Sequence, residues 1–416
     1  MPLDPPAAAL FVLAVVAAAL LTARRPAYGL AALVLTTPIA FAHDLFGTTI
    51  TIPKAVLLGV LIGLTTYGGA IRALRRPPAP LLLGALALYL AATALTLLDA
   101  INRGVALRET LKVVEYGAFF AAAFLCYYLD GDDDAPLTAV AAAAIAVSLS
   151  ALVQEAIGSP SGLYIGAAIV PRVAGLLEGP NQLSGYCEIA VATLGAWAPA
   201  RRSAPIAIAL ALAVCADVLT FSRAGLFGLA VVAAILAFAG GRAAWRALRP
   251  AALGLAAGLA GAAWWAIYAH APGVLRATLE PSLYAGGVGN RSELWGAAWR
   301  MWRDRPLLGV GAGNFELALP AYGVAGVRTH ANSWYLQSLA EGGLVLFAAT
   351  LALLGAIVTS LARGLRGASP WVLAALAATV ALALHQVVDY LVFYPKVGGA
   401  WWVLLGIAAA ALARAA

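Results

Sequence analysis

Apolar runs of near-spanning length recur from one end of the chain to the other, each closed by a short patch of Arg, Pro, Gly or Asp. They fall near residues 7–22, 27–42, 52–71, 79–98, 105–129, 135–157, 183–199, 204–221, 224–240, 251–269, 333–361, 371–389 and 399–413. A helix needs roughly 20 residues to cross a bilayer core. Lipid offers no water to open backbone groups, so helices are the expected spans. The runs are rich in Ala and Leu and lack the alternation of barrel strands. The pattern predicts an all-α integral membrane protein, a bundle of 12–13 transmembrane helices forming one polytopic domain over residues 1–416. The runs 7–22 and 27–42 are short, and either reads equally as a re-entrant or interfacial segment. No fixed-period repeat and no appended hydrophilic domain breaks the pattern.

Composition agrees. The chain is 63% hydrophobic and 11% charged, where soluble domains carry roughly 45–50% and about 25%. Mean hydropathy is +0.90. A net charge of +7 in a soluble protein would raise nucleic acid as a partner. Here most arginines sit at the ends of apolar runs, where topology and lipid headgroups account for them, so nucleic acid is not expected. Cys126, Cys187 and Cys215 each lie inside an apolar run. They read as small hydrophobes rather than as disulfide or zinc ligands. The opening MPLDPP has no Lys or Arg, and no A-x-A site follows the first run, which argues against a cleaved signal peptide.

Charge also orients the chain. Alternate connections carry Arg24/Arg25, Arg72/Arg75/Arg76, Arg201/Arg202, Arg242/Arg246/Arg249 and Arg363/Arg366, and the positive-inside rule assigns these to the cytoplasm. The acidic DGDDD at 130–134 falls on the same side, where Asp weighs little. Segments 158–182 and 271–332 then face outward, and 271–332 is the one large loop. The N-terminus is outside with thirteen spans and inside with twelve. Against the rule, the loop is basic: Arg276, Arg291, Arg300, Arg303, Arg305 and Arg328 outnumber Glu280, Glu293, Asp304 and Glu316. That excess suits an anionic substrate. Within it, Trp295, Trp299 and Trp302 of NRSELWGAAWRMWR stand at helical spacing and predict a helix lying at the membrane interface.

Four segments concentrate candidate chemistry: TFSRAGL at 220–226, the stretch from Arg291 through DRPLLGVGAGNF at 304–315, HANSWYLQSLAEGGL at 330–344, and RVAGLLEGPNQLSGY at 172–186. Each has a plain structural reading. Arg223 can reach headgroups, Arg291 can be a loop cation, and His330 can bond a carbonyl at a helix entry. Asn181 suits a helix cap, while Arg172 and Arg328 suit lipid or phosphate contacts. GVGAGNF follows no predicted strand and has the wrong glycine spacing for a dinucleotide fingerprint, so a tight turn is preferred. His385 and Asp389, four residues apart, form either a functional or a self-satisfied intramembrane pair. Arg108, Glu109, Lys112 and Glu115 read as a salt-bridged helix face. Asp44 in the outward HDLFG and the DGDDD run are weaker candidates for an acidic catalytic or metal-binding role.

In their order and on their shared side, the four segments resemble the O-antigen ligase family, which also holds Wzy-type polymerases and some O-linking oligosaccharyltransferases. The resemblance spans roughly residues 170–400. It implies a GT-C-like bundle of about twelve helices with one large periplasmic loop in a bacterial inner membrane. It also implies transfer of a glycan from an undecaprenyl-diphosphate donor to an acceptor, lipid A–core oligosaccharide in a ligase, without cofactor or metal. By motif, Arg223 and Arg291 look like the family's diphosphate-holding arginines and His330 like its histidine base. Arg172, Asn181 and Arg328 are further candidate substrate contacts. The chemistry suits these residue types. A departing diphosphate needs charge stabilisation, which planar guanidiniums supply bidentately. An acceptor hydroxyl needs a base that works near neutral pH. The alternatives are a polymerase of the same family and, from another class, a flippase or transporter. A transporter would gather its charge near the membrane midplane, whereas here it gathers at span ends and in one loop.

Overall fold

The computed structural model describes residues 5–39, 41–45, 48–157, 162–165, 168–268, 288–324, 330–365 and 369–416. Each apolar run becomes a helix: α1 (Pro5–Arg24), α2 (Pro26–Thr36), α3 (Ile52–Leu64), α4 (Ala79–Leu95), α5 (Arg103–Asp130), α6 (Asp134–Ile157), α7 (Pro180–Trp197), α8 (Ala204–Leu219), α9 (Arg223–Ala247) and α10 (Arg249–Tyr268). After α11 (Val288–Asp304) and a single turn, α12 (Phe315–Ala318), come α13 (Trp334–Arg363), α14 (Pro370–His385) and α15 (Pro395–Ala415). Among the described residues, six helices are long and apolar enough to cross a membrane: α4 with its 3-10 extension, α5, α6, α9 as far as Gly241, α13 and α15. Five more apolar helices have only 10–17 residues. Helix length alone therefore supports fewer crossings than the twelve or thirteen expected.

Local sequence sets the boundaries. Thr51, Asn102, Ser203, Ser333 and Ser369 cap α3, α5, α8, α13 and α14 with a side-chain oxygen. Proline opens α7, α8, α14 and α15, where its missing N–H costs nothing. Small residues at four-residue spacing bring helices close. Gly59 and Gly63 of α3 lie against Val15, Ala18 and Thr22 of α1, and Gly254 and Gly258 of α10 against Ala211 and Val218 of α8. At the centre α15 is buried nearly all round, and Phe119, Phe120 and Phe124 of α5 pack against it. Outward faces stay apolar, as at Leu13, Leu88, Val153 and Phe238, which is what a lipid solvent requires.

The bundle has two chemically distinct ends. At one, Arg25 pairs with Asp130 at 3.0 Å and Asp132 at 2.9 Å, and Arg201 with Asp134 at 2.8 Å. Trp371 Nε1 donates to Asp133 at 2.8 Å. The acidic run among the basic connections is thus a tie that fastens α1, α6, α8 and α14 together. At the opposite end lie two short antiparallel hairpins, β1 (Ala42–Leu45) with β2 (Thr48–Thr51) and β3 (Gly162–Ile165) with β4 (Ala168–Pro171). The sequence reading did not foresee them, and α2 stops at Thr36 rather than at 42 because the chain turns into β1.

A second feature was read as one continuous span. Inside α13, Gly343 has φ 59° and ψ −155°, so the helix breaks there. A break strands amides after it and carbonyls before it, and buried backbone groups must find partners. The loop after α11 supplies them. Leu344 N donates to Pro306 O at 2.8 Å and Val345 N to Leu307 O at 3.4 Å, while Val310 N and Gly311 N donate to Ala340 O and Glu341 O at 3.0 and 2.9 Å. Gly309, Gly311 and Gly313 all take positive φ to follow this path. GVGAGNF is therefore a docking segment built of turns. On its inner side α11 buries Leu294, Ala297, Ala298 and Met301 against Phe315, Leu319 and Ala340. Trp299 stays half exposed, so the helix is anchored by this aliphatic stripe as well as by any interfacial tryptophan.

Candidate functional site

The buried stripe of α11 determines where Arg291 points. Residues 291, 294, 298 and 301 share one face, so the stripe that docks the helix continues into the Arg291 guanidinium, whose side chain is 19% exposed. Its Nη2 lies 3.8 Å from Asp389 Oδ2. Asp389 follows the end of α14 and is buried. Its carboxylate accepts from Tyr390 N at 2.7 Å and from Asn181 Nδ2 at 2.5 Å. Asn181 in turn accepts from Arg172 Nη2 at 2.8 Å, and Arg172 Nε donates to Thr220 O, the C-cap of α8, at 2.6 Å. The chain Arg172–Asn181–Asp389–Arg291 thereby links α8, α7, α14 and α11. Arg223 enters at the first residue of α9, after a turn in which Phe221 has φ 52° and Ser222 Oγ accepts from Gly225 N at 3.3 Å. Its side chain is exposed.

His330 stands just ahead of α13 and is 7% exposed. Its ring sits edge-on to Tyr390 and Tyr394, with centroids at 6.0 and 5.9 Å, and beside Phe393 at 5.7 Å. Asn332 N donates to Nδ1 at 3.2 Å, with Asn332 held at φ 51°. A neutral imidazole that accepts at Nδ1 carries its proton on Nε2, which therefore donates to Tyr394 Oη, 3.0 Å away. Both nitrogens are occupied, so an acceptor hydroxyl reaches the ring only by displacing Tyr394 or the Asn332 amide. The α13 start is pinned to the same place, because Trp334 N donates to both Gln386 O and Asp389 O.

Charge in the site is lopsided. Arg172, Arg223 and Arg291 face one carboxylate, Asp389, which leaves a net charge of about +2 with His330 neutral. Burial pushes Arg172 down to about 10; Asp389 opposes that shift, and Arg291 and Arg223 add to it. Arg291 is lowered by burial, against Asp389 and helped by Arg223. His330 is lowered from its ordinary 6.5 by burial, with Asp389 opposing and Arg291 adding. Burial, with Asp389 next, pushes Tyr394 up to about 12. A neutral imidazole beside a cationic pocket can accept a proton, and the guanidiniums can neutralise phosphate oxygens.

Of the residues singled out in the sequence, Arg172, Asn181, Arg223, Arg291 and His330 lie together at one end of the bundle. Arg328 lies outside the described residues, as does the Asp44 side chain. Two expectations are corrected. Asn181 does not cap α7, whose N-cap is Gly179 without a side-chain bond; it bridges Arg172 to Asp389. His385 and Asp389 do not pair, because α14 ends at His385 and the i,i+4 geometry is lost. His385 Nδ1 instead meets Glu188 at 2.6 Å. Arg172 donates to Thr220 O and to Asn181 Oδ1. Sequence reasoning missed Asp389 as a partner of Arg291 and Tyr394 as a partner of His330. The run DYLVFYPK, polar groups among aromatics just before a helix-opening proline, was the available signal. The Glu109–Lys112 pair forms at 2.8 Å, and Glu115 pairs across to Lys54 at 3.2 Å.

An apolar helix bundle with an arginine-rich, histidine-containing cluster at one end defines a multi-pass membrane protein. Residues 208–351, from α8 into α13, match the family model described as O-antigen ligase. That segment includes Arg223, Arg291 and His330, and the match supports an O-antigen ligase family assignment. No curated protein matches the sequence. The family indicates a glycosyltransferase-like enzyme of O-antigen assembly that handles lipid-linked glycans in a membrane.

Proposed function

We propose that this protein is an O-antigen ligase, joining an undecaprenyl-diphosphate-linked glycan to lipid A–core oligosaccharide at the periplasmic face of the inner membrane. The observation that carries the proposal is the gathering of Arg291 and His330 around Asp389, with Arg223 near Arg291, at the end opposite the basic connections. By the positive-inside rule that end is periplasmic. In the reaction an acceptor hydroxyl attacks the anomeric carbon of the donor sugar. The C–O bond to the diphosphate breaks with its electron pair on the leaving phosphate oxygen. Arg223 and Arg291 neutralise that charge without need of a metal ion, while Arg172 and Asn181 hold Asp389 and through it Arg291. His330 takes the hydroxyl proton at Nδ1 once the acceptor has displaced the Asn332 amide. Attack from the face opposite the diphosphate inverts the anomeric centre. The polyprenyl tail stays in lipid along the apolar outer faces of the bundle.

A polymerase of the same family uses the same donor chemistry, and the matched segment favours neither. Purified protein given an undecaprenyl-diphosphate glycan and lipid A–core separates the readings. Glycan joined to lipid A–core supports ligation. A lengthened donor without joined product makes the protein a polymerase. Movement of the donor across a vesicle membrane with neither product would make it a flippase.

A further inference from the structure

The end of the bundle opposite the transfer site holds a cavity of about 500 Å³ that the reaction above does not use. Its rim carries Arg201 and Arg202 from the α7–α8 connection, Arg246 from the tail of α9 and Arg249 from the start of α10, and its floor includes Ile206 and Leu210. A backbone device builds it. Gly241, at φ 53° and ψ −143°, breaks α9 just past its spanning part. The tail beyond the break turns so that Leu248 buries against Gly195 of α7, and this sets Arg246 and Arg249 across from Arg201 and Arg202.

Four guanidiniums around one cavity repel one another, and among the described residues only Arg201 has a carboxylate partner, Asp134. Arg202, Arg246 and Arg249 have no ion-pair partner among the described residues. α8 and α10 both begin at the rim, so the positive ends of two helix dipoles face it as well. The position calls for an anion. An inorganic ion would answer the rim and leave the aliphatic floor unused. Elsewhere on the same two helices, Ile208 and Leu253 are 53% and 71% exposed, as lipid-facing positions are. A phosphodiester with acyl chains answers both surfaces, its oxygens on the arginines and its glycerol and first methylenes on Ile206 and Leu210.

We propose that this cavity binds the headgroup of an anionic glycerophospholipid. The site is distinct from the general basic edge at the same end. Arg72, Arg75 and Arg76, for instance, lie exposed on and beside the 3-10 turn Ala70–Arg75, and they serve as a control of equal charge. Native mass spectrometry of the full chain in detergent, titrated with phosphatidylglycerol, tests the proposal. The wild type is expected to retain phosphatidylglycerol in preference to phosphatidylcholine. The R202A/R246A/R249A variant should lose at least tenfold in affinity, and R72A/R75A/R76A should bind as the wild type does. R202K/R246K/R249K, which keeps charge but not the planar fork, should fall between them and guards against a variant that fails to fold. Equal weakening in both alanine variants, equal retention of phosphatidylcholine, or full displacement of the lipid by equimolar inorganic phosphate would overturn the proposal. None of these outcomes depends on the transfer reaction.

Discussion

Gly343→Ala probes the joint that holds the candidate site together. The backbone there lies in a region open essentially to glycine alone, where a side chain costs on the order of 1–3 kcal/mol. A Cβ at this position would stand 2.3 Å from Leu307 C and 2.4 Å from Leu307 O. These are backbone atoms of the docked loop and cannot swing aside. The loop must back away, which weakens the four hydrogen bonds between residues 306–311 and the break in α13, each contributing roughly 0.5–1.5 kcal/mol. The expected loss of stability is about 3–6 kcal/mol. Gly355→Ala is the internal control: it lies in the same helix, and its Cβ would meet nothing within 4 Å. Thermal unfolding in detergent, followed by tryptophan fluorescence, should show a large fall for the first variant and little change for the second. The loop leads from α11, so displacing it by about 1 Å also moves Arg291, and transfer should fall on the order of 10²-fold. Equal stability of the two variants would refute this account of the break.

Three further outcomes follow from the site and the bundle beneath it. His330 is lowered from 6.5 chiefly by burial, and a base is active when unprotonated, so the acid limb of kcat/KM should have its midpoint below pH 6.5; a midpoint above that value contradicts the assignment. Asp389 is the charge that raises His330 against burial and Arg291. Asp389→Asn should therefore move the acid limb to still lower pH, and an upward shift would show that another group sets it. Glu188 and His385 form a fully buried pair at 2.6 Å, so Glu188→Ala should cost about 3–5 kcal/mol and Glu188→Gln less; chemical unfolding of the two variants compares them.

Much of the architecture is legible in the apolar periodicity, which placed every major helix of the bundle. Periodicity is a local property, and the features it missed depend on tertiary partners. The break at Gly343 sits within an unbroken apolar run, and only the docking of residues 306–311 makes it stable. Arg223, Arg291 and His330 stood out because arginine and histidine at the ends of apolar runs are conspicuous. Asp389 was read with His385 because four-residue spacing suggests a helical pair, yet the helix ends between them. Asn181 looked like a cap, but Gly179 and Pro180 already start α7, which frees its amide to bridge Arg172 and Asp389. Tyr394 carried no pattern of its own, since its link to His330 joins residues 64 positions apart.

The central claim is that Arg291 and His330 perform one reaction at one site, and a single series of reactions tests it. Wild type, Arg291→Ala and His330→Ala would each be given undecaprenyl-diphosphate glycan and lipid A–core with EDTA present, after circular dichroism confirms that all three are folded. The account predicts joined product from the wild type, with rates lowered at least 10²-fold in both variants. Folded variants that transfer as fast as the wild type would contradict it.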